Sequence, residues 1–144
     1  MANEIALTAA QVGLVDPQKA RVKSYIAGST ITKGQPVAMD TDGTVDPADA
    51  SGGGGYLFEQ VVGVALNGGG AGQAIDVLED GECYGFTVSG MNCGDIVYVS
   101  DTVGRLSTVA GTETVFMGRV VALTDKSATK VIRIQTIWAQ ALAT

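Results

Sequence analysis

The sequence predicts an all-β domain made of two similar halves, with glycine-rich loops and an irregular N-terminal arm. Three observations predict it. Short apolar–polar alternations recur along the chain. Turn pairs such as Asp42-Gly43, Asn67-Gly68 and Asp80-Gly81 punctuate them. The order of these segments then repeats once. The 20 glycines among 144 residues suit many tight turns, and a hydrophobic share of 46% supports a core, which argues against global disorder. The length fits one domain, read as an arm over 1–20 and a β domain over 21–144, with half-repeats near 24–88 and 89–138.

The elements follow in chain order. Residues 1–20 scatter their apolar side chains without a clean period, and Asp16-Pro17 closes the stretch with a turn. Ile5, Leu7, Val12, Leu14 and Val15 are the candidate contact residues of this arm. "ARVKSYIAG" reads as a strand. "QPVAMD" reads as a second, with Pro36 near its start, where a missing N–H is tolerated. "DTDGTVD" is a hairpin turn, and "DPADAS" could make one turn of helix. "SGGGGY" and "NGGGAGQ" read as flexible loops, the first followed by strand character in "YLFEQVVGVAL". "AIDVLEDGECYGFTVSG" reads as two strands joined at Asp80-Gly81, with Ile75 and Val77 facing one way.

The second half repeats this order. "DIVYVS" matches "QPVAMD", and "TVGRLS" matches "TDGTVD". "VFMGRVVAL" matches "QVVGVAL", setting Gly118 beside Gly63, and "KVIRIQTIW" matches "QAIDVLEDG", setting Ile132 and Ile134 beside Ile75 and Val77. The separations run from 55 to 61 residues, so loop lengths differ while strand order holds. A half this small leaves an apolar face open, and pairing two halves would cover it.

Charge and composition narrow the chemistry. A net charge of −6 repels phosphate and argues against nucleic acid as partner, with Lys19, Arg21 and Lys23 of "QKARVK" read as a solvated face. No basic n-region precedes an apolar core at the N-terminus, and the apolar runs are too short to span a bilayer, so a soluble chain made in a cytoplasm is expected, with no membrane partner. Cys83 and Cys93 lack a metal or redox spacing and read as buried free thiols, a disulfide being the alternative. The absence of histidine removes Ser-His-Asp, Cys-His and His-metal sites together. The four aspartates of "DTDGTVDPAD" miss the calcium-loop spacing and read as an acidic turn. Neither glycine run has the Lys-Ser/Thr ending of a phosphate loop. Glu79, Asp80 and Glu82 flank a turn signal, where carboxylates stay hydrated. Trp138 is the sole tryptophan, and reads equally as core closure or as a subunit contact. No catalytic, cofactor, metal or small-molecule site emerges, so a binding or structural role is expected rather than an enzyme.

The string G-Q-P-V-A-M-D (34–40), V-V-G-V-A-L (61–66) and A-G-Q-A-I-D-V (71–77), ending in Gly81, resembles the small capsid cement, or head decoration, proteins of tailed bacteriophages. The resemblance spans roughly residues 24–138 and rests on glycines and small apolar residues. It implies a small β-barrel or β-tulip-like fold and a homotrimer seated on the exterior of an expanded head shell. There it would bridge copies of the major capsid protein and hold the shell against the pressure of packaged DNA. The implied location is the virion, with assembly in the host cytoplasm. On this reading the arm is disordered when free and orders on the shell. Removing residues 1–16 would then weaken shell binding and leave the fold intact. The alternatives are a carbohydrate- or surface-binding β domain of a virion fibre and a carboxylate-dependent β-barrel enzyme.

Overall fold

The computed structural model describes residues 4–50, 61–112, 114–123 and 126–136. The "SGGGGY" loop and Trp138 lie outside these residues. The fold is all-β, as the alternation and turn spacing predict, and its strands form one curled antiparallel half-barrel sheet.

The arm contains two single-turn 3₁₀ segments, Ala9–Gln11 and Pro17–Lys19, and between them the short strand β1 (Gly13–Leu14). Asp16 caps the second turn by accepting the Gln18 N–H at 3.0 Å, and Pro17 sits at its first position, where no N–H is needed. Then come β2 (Arg21–Ile26), β3 (Pro36–Met39), β4 (Val45–Pro47), β5 (Val61–Ala65), β6 (Ala74–Tyr84), β7 (Ile96–Val99), β8 (Leu106–Ser107), β9 (Phe116–Leu123) and β10 (Lys126–Gln135). The sheet runs β4-β3-β5-β6-β10-β9-β7-β8, with β1 and β2 both paired to β6. Residues 48–50 of "DPADAS" form no helix.

The strand order reads the same from either end, and the register repeats in detail. Pro36 and Val37 face Val64 and Gly63, as Ile96 and Val97 face Arg119 and Gly118. Each ladder then carries a bulge at the next step, between Val37 and Ala38 and between Val97 and Tyr98. Val64↔Leu78 and Ala65↔Val77 recur as Arg119↔Arg133 and Val120↔Ile132. This corrects the sequence match at one place: Ile132 and Ile134 stand for Val77 and Glu79, not for Ile75 and Val77, because the ladder register rather than the apolar spacing fixes equivalence. Gly34 and Gly94, which open the two units, share φ values of 92° and 94°. A bulge in a conserved place within both units bends each sheet the same way, so the resemblance of the two sequence stretches reflects one supersecondary unit used twice.

Gly63 and Gly118 show what this geometry demands of sequence. A Cβ on Gly63 would lie 2.0 Å from the Leu78 carbonyl oxygen, and one on Gly118 would lie 1.9 Å from that of Arg133. Both contacts are with backbone, which cannot rotate away. Only glycine allows each bulged strand to approach its neighbour.

β6 is one unbroken strand of 11 residues, not two strands joined at Asp80-Gly81. Gly81 has φ +149°, and a Cβ there would meet that of Ala20 at 2.8 Å. The pair marks a change of neighbours rather than a chain reversal. Before it, β6 is flanked by β2 and β5; after it, by β10 and β1. β6 therefore belongs to both halves: its first part closes lobe one and its last part opens lobe two. The Asp80↔Gln135 pair, whose members occupy equivalent positions in the two lobes, lies on the pseudo-two-fold axis.

The cores differ between lobes. Lobe one has a private core of Tyr25, Ala27, Ile31, Val37, Val45, Val62, Ala65, Ile75 and Val77. Its other face contributes Ala38, Val64 and Leu78 to a larger core with Val97, Leu106, Met117, Val120, Ile132 and Ile134 of lobe two. β5 is buried along its whole length as a result. The shared core buries apolar faces between lobes, and each fully buried aliphatic side chain contributes about 1.5–3 kcal/mol.

Candidate functional site

The arm was the sequence's candidate for contact with a partner, and the structure spends it on the chain's own body. Ile5 and Val12 are each 2% exposed, inside the shared core. Leu7 and Leu14 pack on that core half-buried, and Val15 lines a cleft. Backbone bonds run the length of the arm: Ile5 N–H to the Leu106 carbonyl at 2.9 Å, Thr8 N–H to Gly85 at 2.8 Å, Thr87 N–H to Ala6 at 2.8 Å, and Val15 N–H to Glu82 at 3.0 Å. β1 adds the pairs Gly13↔Tyr84 and Leu14↔Cys83. Arg105 fastens the start, donating to the Ile5 carbonyl at 3.2 Å and lying 3.7 Å from Glu4. This corrects the expectation of an arm disordered in the free chain. It also corrects the expectation that removing residues 1–16 leaves the fold intact, because that cut takes two core residues and the cover of β6.

Two polar clefts flank the arm. One, of about 500 Å³, is lined by Val15, Asp16, Lys19, Glu82, Leu123 and Arg133. The other, of about 470 Å³, is lined by Thr8, Gln11, Phe86, Thr87, Lys130 and Val131. Tyr84, 40% exposed, borders both. Lys130 is committed to the carbonyls of Met91 at 2.6 Å and Ser89 at 3.3 Å, and Arg133 lies 3.6 Å from Asp80.

β2 is the most exposed strand for which burial is described along its whole length: of its six residues only Tyr25 is buried. Val22 is 40% and Ile26 47% exposed, two large aliphatic groups on one face of a sheet edge. Among the described residues β6 is the one named strand whose ladder runs along Arg21–Ile26, and just past that range Ala27 bridges Val45 of β4, with Gly28 donating to the Val45 carbonyl at 2.8 Å. What holds β2 is a buried cluster on the other face. Glu79 is buried, accepts the Tyr25 hydroxyl, and lies 3.2 Å from the Arg21 guanidinium. Burial, then the bond to Glu79, push the Tyr25 hydroxyl well above the usual phenol range. The sequence places Glu79 among hydrated turn carboxylates; inside a continuous strand it points inward instead. The equivalent position in lobe two is the core residue Ile134. With its oxygens engaged by Tyr25 and Arg21, Glu79 acts as a clasp that holds β2 to β6.

The remaining candidates resolve simply. Asp42 accepts from the Thr44 hydroxyl at 2.7 Å and amide at 3.1 Å, which holds its carboxyl below the usual range and tightens the β3–β4 turn. Asp46 accepts from Ser29 at 2.7 Å. Among the described residues no group of three His, Cys, Asp or Glu is placed to hold a metal ion. "NGGGAGQ" is tied down rather than flexible: Ile31 and Gly69 exchange backbone bonds of 2.8 and 3.0 Å, and Gly72 donates to Ala27 at 2.8 Å. Both cysteines are free; Cys83 is buried, but Cys93 is exposed, against expectation. Among the described residues no helix is long and apolar enough to cross a membrane.

Sequence reasoning missed Val22, Ile26 and the Tyr25–Glu79 clasp. The signal was present in "RVKSYI", whose alternation shows a strand without showing which of its two edges meets a neighbour. No protein-family model matches the chain, and no curated protein matches it.

Proposed function

We propose that this protein is a structural capsid cement protein that docks on the exterior of an expanded phage head shell, as a homotrimer bridging copies of the major capsid protein. The observation that carries the reading is the division of labour in the molecule. Its buried polar cluster is engaged in clasping strands together, while the β2 edge offers backbone hydrogen-bonding groups beside exposed Val22 and Ile26. A rigid β body with an open edge suits strand addition to another protein. Repetition over a symmetric shell multiplies weak single contacts into firm holding. An acidic exterior avoids competition for the DNA within.

The test is co-sedimentation of the purified protein with expanded and unexpanded shells, with its mass measured by analytical ultracentrifugation. The reading expects a trimer that pellets with expanded shells only. A protein that stays in the supernatant with both kinds of shell ends the proposal.

One observation favours the fibre-domain alternative. Tyr84 stands exposed at the junction of two clefts lined by charged and amide groups, an arrangement that suits stacking against a sugar ring. A glycan array with a strong hit abolished by Tyr84→Ala would move the function there.

A further inference from the structure

The two lobes treat one edge differently, and the difference identifies a docking site. Val77 and Ile132 are equivalent, since Val77 faces Ala65 as Ile132 faces Val120. Lys23 pairs with Val77, and Cys83 pairs with Ile132. Val22, Lys23 and Ser24 of β2 thus correspond to Glu82, Cys83 and Tyr84 of β6. On β6 the outer edge of those residues is covered by the arm, through Gly13↔Tyr84, Leu14↔Cys83 and the Val15 N–H to Glu82 carbonyl bond. On β2 the described residues cover only the far end, where Ala27 bridges Val45 of β4 in parallel, and none adds a strand beside Val22–Ser24.

The backbone of β2 is set for the same addition. Ala27 donates its N–H to the Gln73 carbonyl at 2.9 Å. Antiparallel ladders alternate, so Tyr25 and Lys23 share that inward orientation, while Ile26, Ser24 and Val22 turn their backbone groups outward; Ile26 meets the Val45 bridge there, which leaves Ser24 and Val22 as the open positions. The outward Val22 carbonyl is the counterpart of the Glu82 carbonyl that accepts from Val15.

We propose that the outer edge of β2 is a strand-addition site for an extended, acidic–apolar alternating segment of a partner protein. The segment would dock as residues 13–15 dock on β6. Charge selects this occupant. Lys19, Arg21 and Lys23 put three of the chain's nine basic residues within five positions, in a molecule of net charge −6. Arg21 lies against Glu79 and Lys23 sits 5.2 Å from the centre of the Tyr25 ring, so both cations are held at the edge. An acidic strand would be drawn to them, while a second copy docking β2 against β2 would oppose like charges. Val22 and Ile26 supply the apolar contact for alternate residues. The proposal refines the cement reading by naming the edge and the chemistry of what it takes.

The test separates the two. The probes are an eight-residue peptide alternating Val and Glu, and its Val–Lys counterpart, titrated into the full-length protein and followed by amide NMR shifts. Hydrogen exchange is measured alongside in dilute free protein. The site expects fast exchange at Ser24, and shifts centred on 21–25 with the Val–Glu peptide only. Ser24→Pro removes an outward N–H from an edge position that tolerates proline. It should weaken the peptide and any shell binding at least tenfold while Ser24→Ala keeps both, with melting temperature reporting the fold. Slow exchange at Ser24 in the free protein would mean that this chain or a second copy already covers the edge. That result overturns the proposal, as do equal binding of both peptides, shifts elsewhere, or unaltered binding by a folded Ser24→Pro variant. Failure to bind shells together with a positive peptide result would remove the cement reading and leave the edge standing.

Discussion

β2 and the last part of β6 occupy equivalent places in two copies of one unit, yet one is bare and the other is wrapped. The wrapped edge carries Cys83 and Phe86 into the core beneath the arm. The bare edge carries Val22 and Ile26 into solvent and is fastened from behind by Glu79. The lesson is that repetition fixes the ladder but not its borders. Each lobe solves its exposed edge with whatever chain is at hand, and among the described residues no segment runs beside Val22–Ser24 as the arm runs beside β6.

The comparison is broken most severely through the glycines that both units need. Gly63→Ala and Gly118→Ala each drive a Cβ into a carbonyl oxygen. Each should cost about 3 kcal/mol or more, which in a chain of this size lowers the melting temperature by about 10 °C. Calorimetry checks this, and if the two variants differ sharply the lobes are less alike than their registers imply.

Next in size is the arm. Ile5→Ala should cost about 2–3 kcal/mol by emptying a core position, whereas Val22→Ala and Ile26→Ala on the bare edge should change stability by less than about 0.5 kcal/mol. Urea denaturation of the three variants ranks them. A silent Ile5→Ala would mean that the arm is not part of the core.

A smaller effect concerns the clasp. The folded-state Tyr25 value lies above the unfolded one, so its contribution is complete below the ordinary phenol value of about 10. It fades as pH climbs from there toward the raised folded value. Stability should therefore fall above about pH 10, and Tyr25→Phe should flatten that part of the profile after losing about 1 kcal/mol at neutral pH. Denaturation at pH 7 to 11 decides the point.

The smallest expected effect leaves stability alone. Burial pushes the Cys83 thiol up to about 12, while Cys93 is exposed. A thiol reagent at pH 7.5 should label one cysteine per native chain, at Cys93, and both in denaturant. Rapid native labelling of Cys83 would show that the arm lifts off its edge.

Much of the fold was legible because strand alternation, turn pairs and repeat order are local properties. Ile75 and Val77, and Ile132 and Ile134, are fully buried as their spacing predicts. The repeat reached as far as matching bulges because bulges follow from where glycine sits. Asp80-Gly81 misled for a physical reason: a pair that often reverses the chain also permits a strand to change partners without reversing. Glu79 misled in consequence, since the same carboxylate is hydrated at a turn and buried in a strand.

What the sequence determined by itself was the all-β class, the twofold unit and the positions that had to be glycine, because backbone sterics and side-chain alternation act over a few residues. Only the tertiary structure decided which edges are covered, that the arm belongs to the core, and that Glu79 faces Tyr25. Those outcomes depend on which distant segment arrives beside a strand, and a strand's own residues are equally able to pair on either side.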